Sequence, residues 1–361
     1  MSSPDSAAGS GQAKDSPSTI PAPPGTTETD GPQGARELSG AQAIGEALGE
    51  EMERDPTVFL MGEDVGKPGG VYKATEGLYE RFGPTRVRDT PISEAGFTGL
   101  GVGAAMTGLR PVVEVMFGDF SALILDQVAN QAAKAHYMSG GGLAVPMVLR
   151  TSLGAGRRLA AQHSQSLQAW FSHIPGLKVV LPSSPAELKG LLKTAIRDSS
   201  PVVFIEDKLM YRQTGPVPVG EYLIPFGTPE RRRAGSDLTI VATSSMVDVA
   251  LQAADTLAEQ GIDAEVIDPR TLVPLGIDAL VASVKRTTRC IVIDEGYRGF
   301  GATAELASSI AEGAFYHLDA PVRRIGAMDV PVPFSPALED LTIPSPEQVV
   351  ETAVALVVGH D

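Results

Sequence analysis

The chain of 361 residues contains one cysteine, one tryptophan and only 5% aromatic residues. A single thiol, Cys290, excludes a disulfide framework and a cysteine-rich zinc site. In "RCIVIDEG" it reads as a buried strand thiol, packing as a small apolar group. No uninterrupted apolar run reaches the ~18–20 residues that span a bilayer. The five histidines include no H-E-x-x-H motif and no pair at metal-binding helix spacing. A Walker loop is missing. "GLGVGAAMTG" places Met106 where a dinucleotide fingerprint needs its third glycine. Its small residues suit close packing against another helix or subunit instead.

Positive charge is scarce at both ends. Residues 1–35 hold 4 acidic and 1 basic side chains, and residues 236–361 hold 19 and 7, a balance of -12. The chain total is -15, so residues 36–235 are neutral. An acidic final third argues against nucleic acid as partner and for a basic protein. Glu339, Asp340 and Glu351 are the first acidic residues to probe. Residues 1–35, rich in Ser, Pro, Gly and Thr, read as a disordered tail with neither a secretory apolar core nor an Arg-rich transit pattern. A cytoplasmic protein is expected.

What remains is dense in alternating elements. "SGAQAIGEALGEEMERD" spaces Ile44, Leu48 and Met52 by four, and Ser39 with Gln42 fits a capping box. Apolar strand runs such as "TVFLMGED", "PVVEVM", "VPMVLRT", "LKVVLP" and "PVVFIED" alternate with helical segments. One of these, "SALILDQVANQAAKAHYM", predicts a single long helix. Such alternation implies an α/β fold with a mostly parallel sheet covered on both faces. Residues 212–235, with four prolines and the run "RRR", read as a linker, and a second α/β series follows at 236–361.

Two residues stand out as candidates for chemistry. Glu94 opens a nearly charge-free stretch, "ISEAGFTGLGVGAAMTG", where a carboxylate is costly to bury. His163 lies in "RRLAAQHSQS", a glycine-led loop after a strand, where α/β proteins place active sites. The residues alone leave His163 equally open to a structural or a catalytic role.

"DTPISEAGFTGLGVGAAMTGLRPVVEVM", "AAQHSQS", "PGLKVVLPSSPAELKGLLKTAIRD" and "PVVFIED" closely resemble the beta subunit of the thiamine-diphosphate-dependent decarboxylating component of 2-oxo acid dehydrogenase complexes. The resemblance covers about residues 36–358. "MFGDF" and "HSQSLQAWFSHIPGLKVV" look more like pyruvate or acetoin dehydrogenases than branched-chain enzymes. It implies a transketolase-like pyrimidine-binding domain at 36–211, a linker, and a smaller transketolase C-terminal domain at 236–361. It further implies that Glu94 shares a proton with the ring nitrogen of the cofactor's aminopyrimidine. Ile92 and Met116 would line that pocket, Phe120 would stack on the ring, and His163 would serve substrate or lipoyl transfer. A monovalent cation (K+) would sit among backbone oxygens of Met147, Ala195, Ile196 and Asp198, with Ser200 standing where members having that site often carry Asn.

The family's magnesium signature, G-D-G followed by Asn, is absent; "GDF" at 118–120 is a different position. The resemblance therefore implies that an alpha subunit supplies Mg2+ and the diphosphate half of the site, in an α2β2 heterotetramer. It also implies docking of the lipoyl-bearing core acyltransferase on the C-terminal domain. Pyruvate, acetoin and branched 2-oxo acids stay open as substrates, as does a non-catalytic scaffold of the same fold.

Overall fold

The computed structural model describes residues 34–359. The expected tail at 1–35 lies almost wholly outside them. The first helix, Gly40–Arg54, begins as its sequence dictates. Ser39 Oγ accepts from the Gln42 amide at 3.3 Å, and Gln42 Oε1 accepts from the Ser39 amide at 2.9 Å. Ile44, Leu48 and Met52 are buried on one stripe that packs against the helix Pro185–Arg197.

Seven strands form the first sheet, in the order Thr271–Val273, Lys178–Val180, Val202–Asp207, Val148–Leu153, Arg110–Val115, Val58–Gly62, Val87–Asp89. All pairings are parallel except the one at Thr271–Val273. Successive side chains along each strand point to opposite faces. Leu60, Val112 and Phe204 accordingly join one core with the helices Gly40–Arg54 and Pro185–Arg197, while Met61, Val113 and Val203 join another around Phe97 and Val128.

The second sheet runs Arg323–Ala327, Cys290–Tyr297, Leu238–Ala242, Ala264–Asp268, Glu230–Arg233. Its last strand is antiparallel and the others are parallel. Helices Met246–Glu259 and Pro346–Val358 cover one face; Ile277–Thr287 and Ala302–Ala314 cover the other. Cys290 is fully buried there, and burial pushes its thiol up to about 12. It is an inert core group. No described helix is long and apolar enough to cross a membrane.

Three local expectations need correction. The segment 212–235 is not a bare linker: Thr214–Val217 pairs antiparallel with Arg36–Ser39, and Glu230–Arg233 edges the second sheet. Its arginines have partners, Arg231 an ion pair with Glu265 at 3.8 Å and Arg232 a hydrogen bond to Ser183 Oγ at 2.8 Å. The single long helix at 121–138 is three pieces, α at Ser121–Leu125, π at Asp126–Ala132 and α at Ala133–Met138. And Thr271–Val273, from the second half of the chain, extends the first sheet.

Arg150 is a charge at the heart of the first sheet. Its Nε and Nη2 donate to Glu206 at 2.7 and 2.8 Å, and Nη1 donates to Glu114 at 2.7 Å. The three residues come from three adjacent strands, and both Arg150 and Glu206 are fully buried. Removing one partner of such a cluster strands the others, at a cost of about 3–5 kcal/mol. Arg150→Leu is therefore expected to lower the thermal unfolding midpoint by roughly 5–10 °C. An unchanged midpoint would show that the two carboxylates find other partners.

Candidate active site

Parallel strands present all their C-terminal ends to one edge, and the loops there build sites. Glu63 follows Val58–Gly62, Met116 follows Arg110–Val115, the His163 loop follows Val148–Leu153, and Lys208 follows Val202–Asp207. The segment after Val87–Asp89 leads into the helix Glu94–Met106. Every candidate from Glu94 to His163 lies in these connections or at their ends.

Glu94 is the first residue of its helix and only 7% exposed, and its side chain forms no hydrogen bond among the described residues. Beside it stands Glu63, equally buried, whose Oε1 lacks a hydrogen-bond partner among those residues. Burial, then the charges of Glu94 and Asp64, raises the Glu63 carboxyl above its ordinary range. Burial disfavours the charged form of such a carboxyl. The sequence reading missed Glu63. Its signal was modest: a carboxylate at the end of the apolar strand "VFLMG".

His163 and Phe120 meet. The imidazole lies edge-on to Phe120, with centroids 5.6 Å apart, and to Phe117 at 4.8 Å. Phe117 and Phe120 pack edge to face at 6.0 Å. The turn Gly118–Phe120 that carries them is tied to the His163 loop by Asp119, whose Oδ1 accepts from the Gln165 amide and Nε2, each at 3.1 Å. Gly118 is needed for this approach, because a Cβ there would stand 2.0 Å from Leu153 Cδ2. Met116 is half-buried, and its carbonyl accepts from Ser152 Oγ at 2.7 Å. Ile92 stands on the surface, 84% exposed.

The possible cation ligands have partners already. The carbonyls of Ile196 and Asp198 accept from Arg110 Nη1 at 2.9 and 2.8 Å. Met147 accepts from the Val202 amide at 3.0 Å, Ala195 accepts from the Asp198 amide at 3.3 Å, and the Ser200 amide donates to Asp198 Oδ1 at 2.8 Å. Among the described residues no group of three or more His, Cys, Asp or Glu side chains is placed to hold a metal ion.

The second half of the chain holds the His163 loop at its root. Glu295 Oε1 accepts from the Ala155 amide at 2.6 Å, and Glu339 Oε1 accepts from the Gly156 amide at 2.7 Å. Arg158 donates to Glu339 at 2.8 Å and to Asp340 at 2.6 Å. Glu339 is 0% exposed, so the first acidic probe of a docking surface serves internally instead, while Asp340 stays exposed. Gly154, at φ +101°, passes between carboxylates: a Cβ would lie 2.8 Å from oxygens of both Asp207 and Glu295. Burial, then Asp207, pushes the Glu295 carboxyl well above the ordinary range. Lys208, fully buried, donates to the Gly154 carbonyl at 3.1 Å and lies 5.5 Å above the Phe117 ring. Burial lowers its ammonium, opposed by Asp119, Glu295 and Asp207.

Two adjacent amides held by carboxylates from 140 and 183 positions away make the loop's geometry depend on the second domain. Glu339→Ala is expected to speed hydrogen exchange at Gly156 by about 10-fold or more, as loss of a charged hydrogen bond does. Glu339→Gln, which still accepts the amide, should recover part of it. Equal exchange in all three proteins would show that the loop is held without this clamp.

The family models agree with this architecture. "Transketolase, pyrimidine binding domain" matches residues 36–214, and "Transketolase, C-terminal domain" matches residues 227–349. The pyruvate dehydrogenase E1 component subunit beta-1 of Oryza sativa subsp. japonica is 48% identical, over 88% of this chain and 86% of its own. The pyruvate dehydrogenase E1 component subunit beta of Rickettsia felis is 49% identical, over 86% and 95%. The acetoin:2,6-dichlorophenolindophenol oxidoreductase subunit beta of Bacillus subtilis is 48% identical, over 89% and 98%. Among solved structures, a split gene transketolase described as an inactive beta4 tetramer shares the fold, with a TM-score of 0.71 at 23% identity, over 89% of this chain and 98% of its own. The buried Glu94, the aromatic corner around His163 and these identities lead to one assignment: the chain belongs to the transketolase-like family of pyruvate and acetoin dehydrogenase beta subunits.

Proposed function

We propose that this chain is the beta subunit of a thiamine-diphosphate-dependent 2-oxo acid dehydrogenase of the pyruvate type, working with an alpha subunit in an α2β2 heterotetramer. The carrying observation is Glu94, a buried carboxylate without a hydrogen-bond partner among the described residues, whose charge reaches the buried Glu63. Those residues fit the pyrimidine half of the cofactor. Glu94 would hold a proton at the aminopyrimidine ring nitrogen, Phe120 and Met116 would wall the ring, and the exposed Ile92 would close the pocket where the alpha subunit meets it. Thiamine diphosphate, when bound, supplies the electron sink for decarboxylation. Glu63, whose carboxyl burial raises, stands in the same dry surroundings. His163, oriented by Phe117 and Phe120, would position the substrate carbonyl or lipoyl group and handle the proton of acyl transfer.

Mg2+ and the diphosphate belong to the alpha subunit in this reading, because this chain has no G-D-G segment. The oxygens around Met147, Ala195, Ile196, Asp198 and Ser200 would take K+ weakly, since Arg110 already bonds two of them. We assign domains at 36–211 and 236–361, with the intervening segment structured as described. Residues 236–361 would dock a basic domain of the lipoyl-bearing acyltransferase, using exposed acids such as Glu347 and Glu351.

The reconstituted tetramer, assayed with pyruvate, acetoin and branched 2-oxo acids, tests the activity; the isolated chain is expected to decarboxylate none. Glu94→Gln should keep the tetramer assembled and lower turnover by roughly 100-fold, the usual weight of a positioned acid–base group. Near-normal turnover would remove Glu94 from the chemistry. For His163→Ala, the lipoyl-coupled reaction should fall more than decarboxylation with an artificial acceptor; equal losses would make the histidine a general positioning group. Association with the acyltransferase should slow as salt rises, because charge steering is screened over about 10 Å at 0.1 M. A salt-independent rate would reject the acidic face as the docking surface.

A further inference from the structure

Phe117 also faces a hollow apart from the His163 corner. It lines a cavity of about 440 Å3 formed also by the loop carrying Tyr72 and Lys73, by Arg157, and by Tyr211 and Arg212. Three cations reach this cavity and no carboxylate lines it. Tyr72 stacks on Tyr211, with centroids 4.3 Å apart and planes 22° apart, and Arg157 lies 5.5 Å from the Tyr72 centroid. The Tyr211 hydroxyl donates to Glu206, which ties this floor to the Arg150 cluster.

Several arginines of this chain are held by carboxylates. Arg150, Arg158, Arg197, Arg270 and Arg286 all bond carboxylates. Among the described residues, Lys73, Arg157 and Arg212 form no such pair; Lys73 donates to the Pro68 carbonyl at 2.6 Å. The contrast is sharpest in "GRRL". Arg158, at φ +59°, turns to Glu339 and Asp340, while its neighbour Arg157 stays at the cavity. A chain of net charge -15 that gathers three cations without carboxylate partners around one hollow concentrates positive potential there. Guanidinium forks suit carboxylate and phosphate oxygens.

We propose that this cavity is an anion-binding subsite, in which Arg157, Lys73 and Arg212 receive the carboxylate of a small substrate beside the His163 corner. The inference rests on the 2-oxo acid reading above and deepens it, because an anion subsite favours a 2-oxo acid over neutral acetoin. A phosphate group shares the recognition chemistry, so inorganic phosphate is the probe.

The experiment uses the reconstituted tetramer at constant ionic strength, with phosphate exchanged for chloride. Phosphate is expected to compete with the 2-oxo acid. The double variant Arg157→Gln, Arg212→Gln should raise KM about 3- to 10-fold, the scale of two solvent-screened contacts, with a smaller change in kcat. It should weaken phosphate inhibition in parallel, and Arg157→Lys with Arg212→Lys should restore much of both. Unchanged KM and phosphate inhibition in the double variant would overturn the subsite. Non-competitive inhibition that the double variant abolishes would overturn the substrate assignment and give the cavity to a separate phosphorylated ligand. A thermal-shift titration with phosphate, wild type against double variant, needs no turnover. A phosphate shift lost in the variant supports the subsite even for a tetramer inactive on every 2-oxo acid, a result that would reject the functional reading instead.

Discussion

Arg150 is the constraint on which the catalytic edge of the first sheet depends. A guanidinium buried among strands must be fully bonded, and Glu206 and Glu114 meet that need from both sides. Each of these three residues lies just before a loop of the site: Glu114 before Met116 and Phe117, Arg150 before the His163 loop, Glu206 before Lys208. The cluster reaches further through Tyr211 to Tyr72 and through Glu114 to the backbone near Gly70, where a Cβ would lie 3.6 Å from its Oε1. Ion clusters of this kind add little net stability against an apolar core of equal volume, but they tolerate few alternative arrangements. Here one arrangement fixes the starting points of three loops.

The second half of the chain contributes to the same edge without entering the sheet's catalytic end. Glu295 and Glu339 hold two consecutive amides of the His163 loop, and Thr271–Val273 adds a strand to the first sheet. This changes the meaning of the acidic composition. Part of the -12 balance of residues 236–361 is internal: Glu265 bonds Arg286, Glu295 and Glu339 grip the loop, and Asp294 accepts from Gln168 at 2.6 Å. Only the acids left on the surface are available to a partner.

Features set by neighbours in sequence were legible in it. The capping box at Ser39, the Ile44–Leu48–Met52 stripe and the buried Cys290 all depend on a few adjacent residues. So did the alternation of strand and helix that gives the α/β class. The expectations that needed revision depended on distant partners. "RRR" becomes an edge strand because Ala264–Asp268 lies alongside it, and Glu339 is buried because the loop at Gly156 folds over it. Local pattern could not show either, since the partners are tens to nearly two hundred residues away.

The sequence by itself determined the two α/β series, the family resemblance and the candidate site residues Glu94, Phe120 and His163. It did so because periodicity and local motifs are short-range properties. The tertiary structure alone decided that Glu63 would share the surroundings of Glu94, that Phe117 would join Phe120 against His163, and that Arg157 and Arg158 would part in opposite directions. Those outcomes follow from parallel strands, which bring loops far apart in sequence to one edge, and from buried charges, which must find partners wherever the fold supplies them.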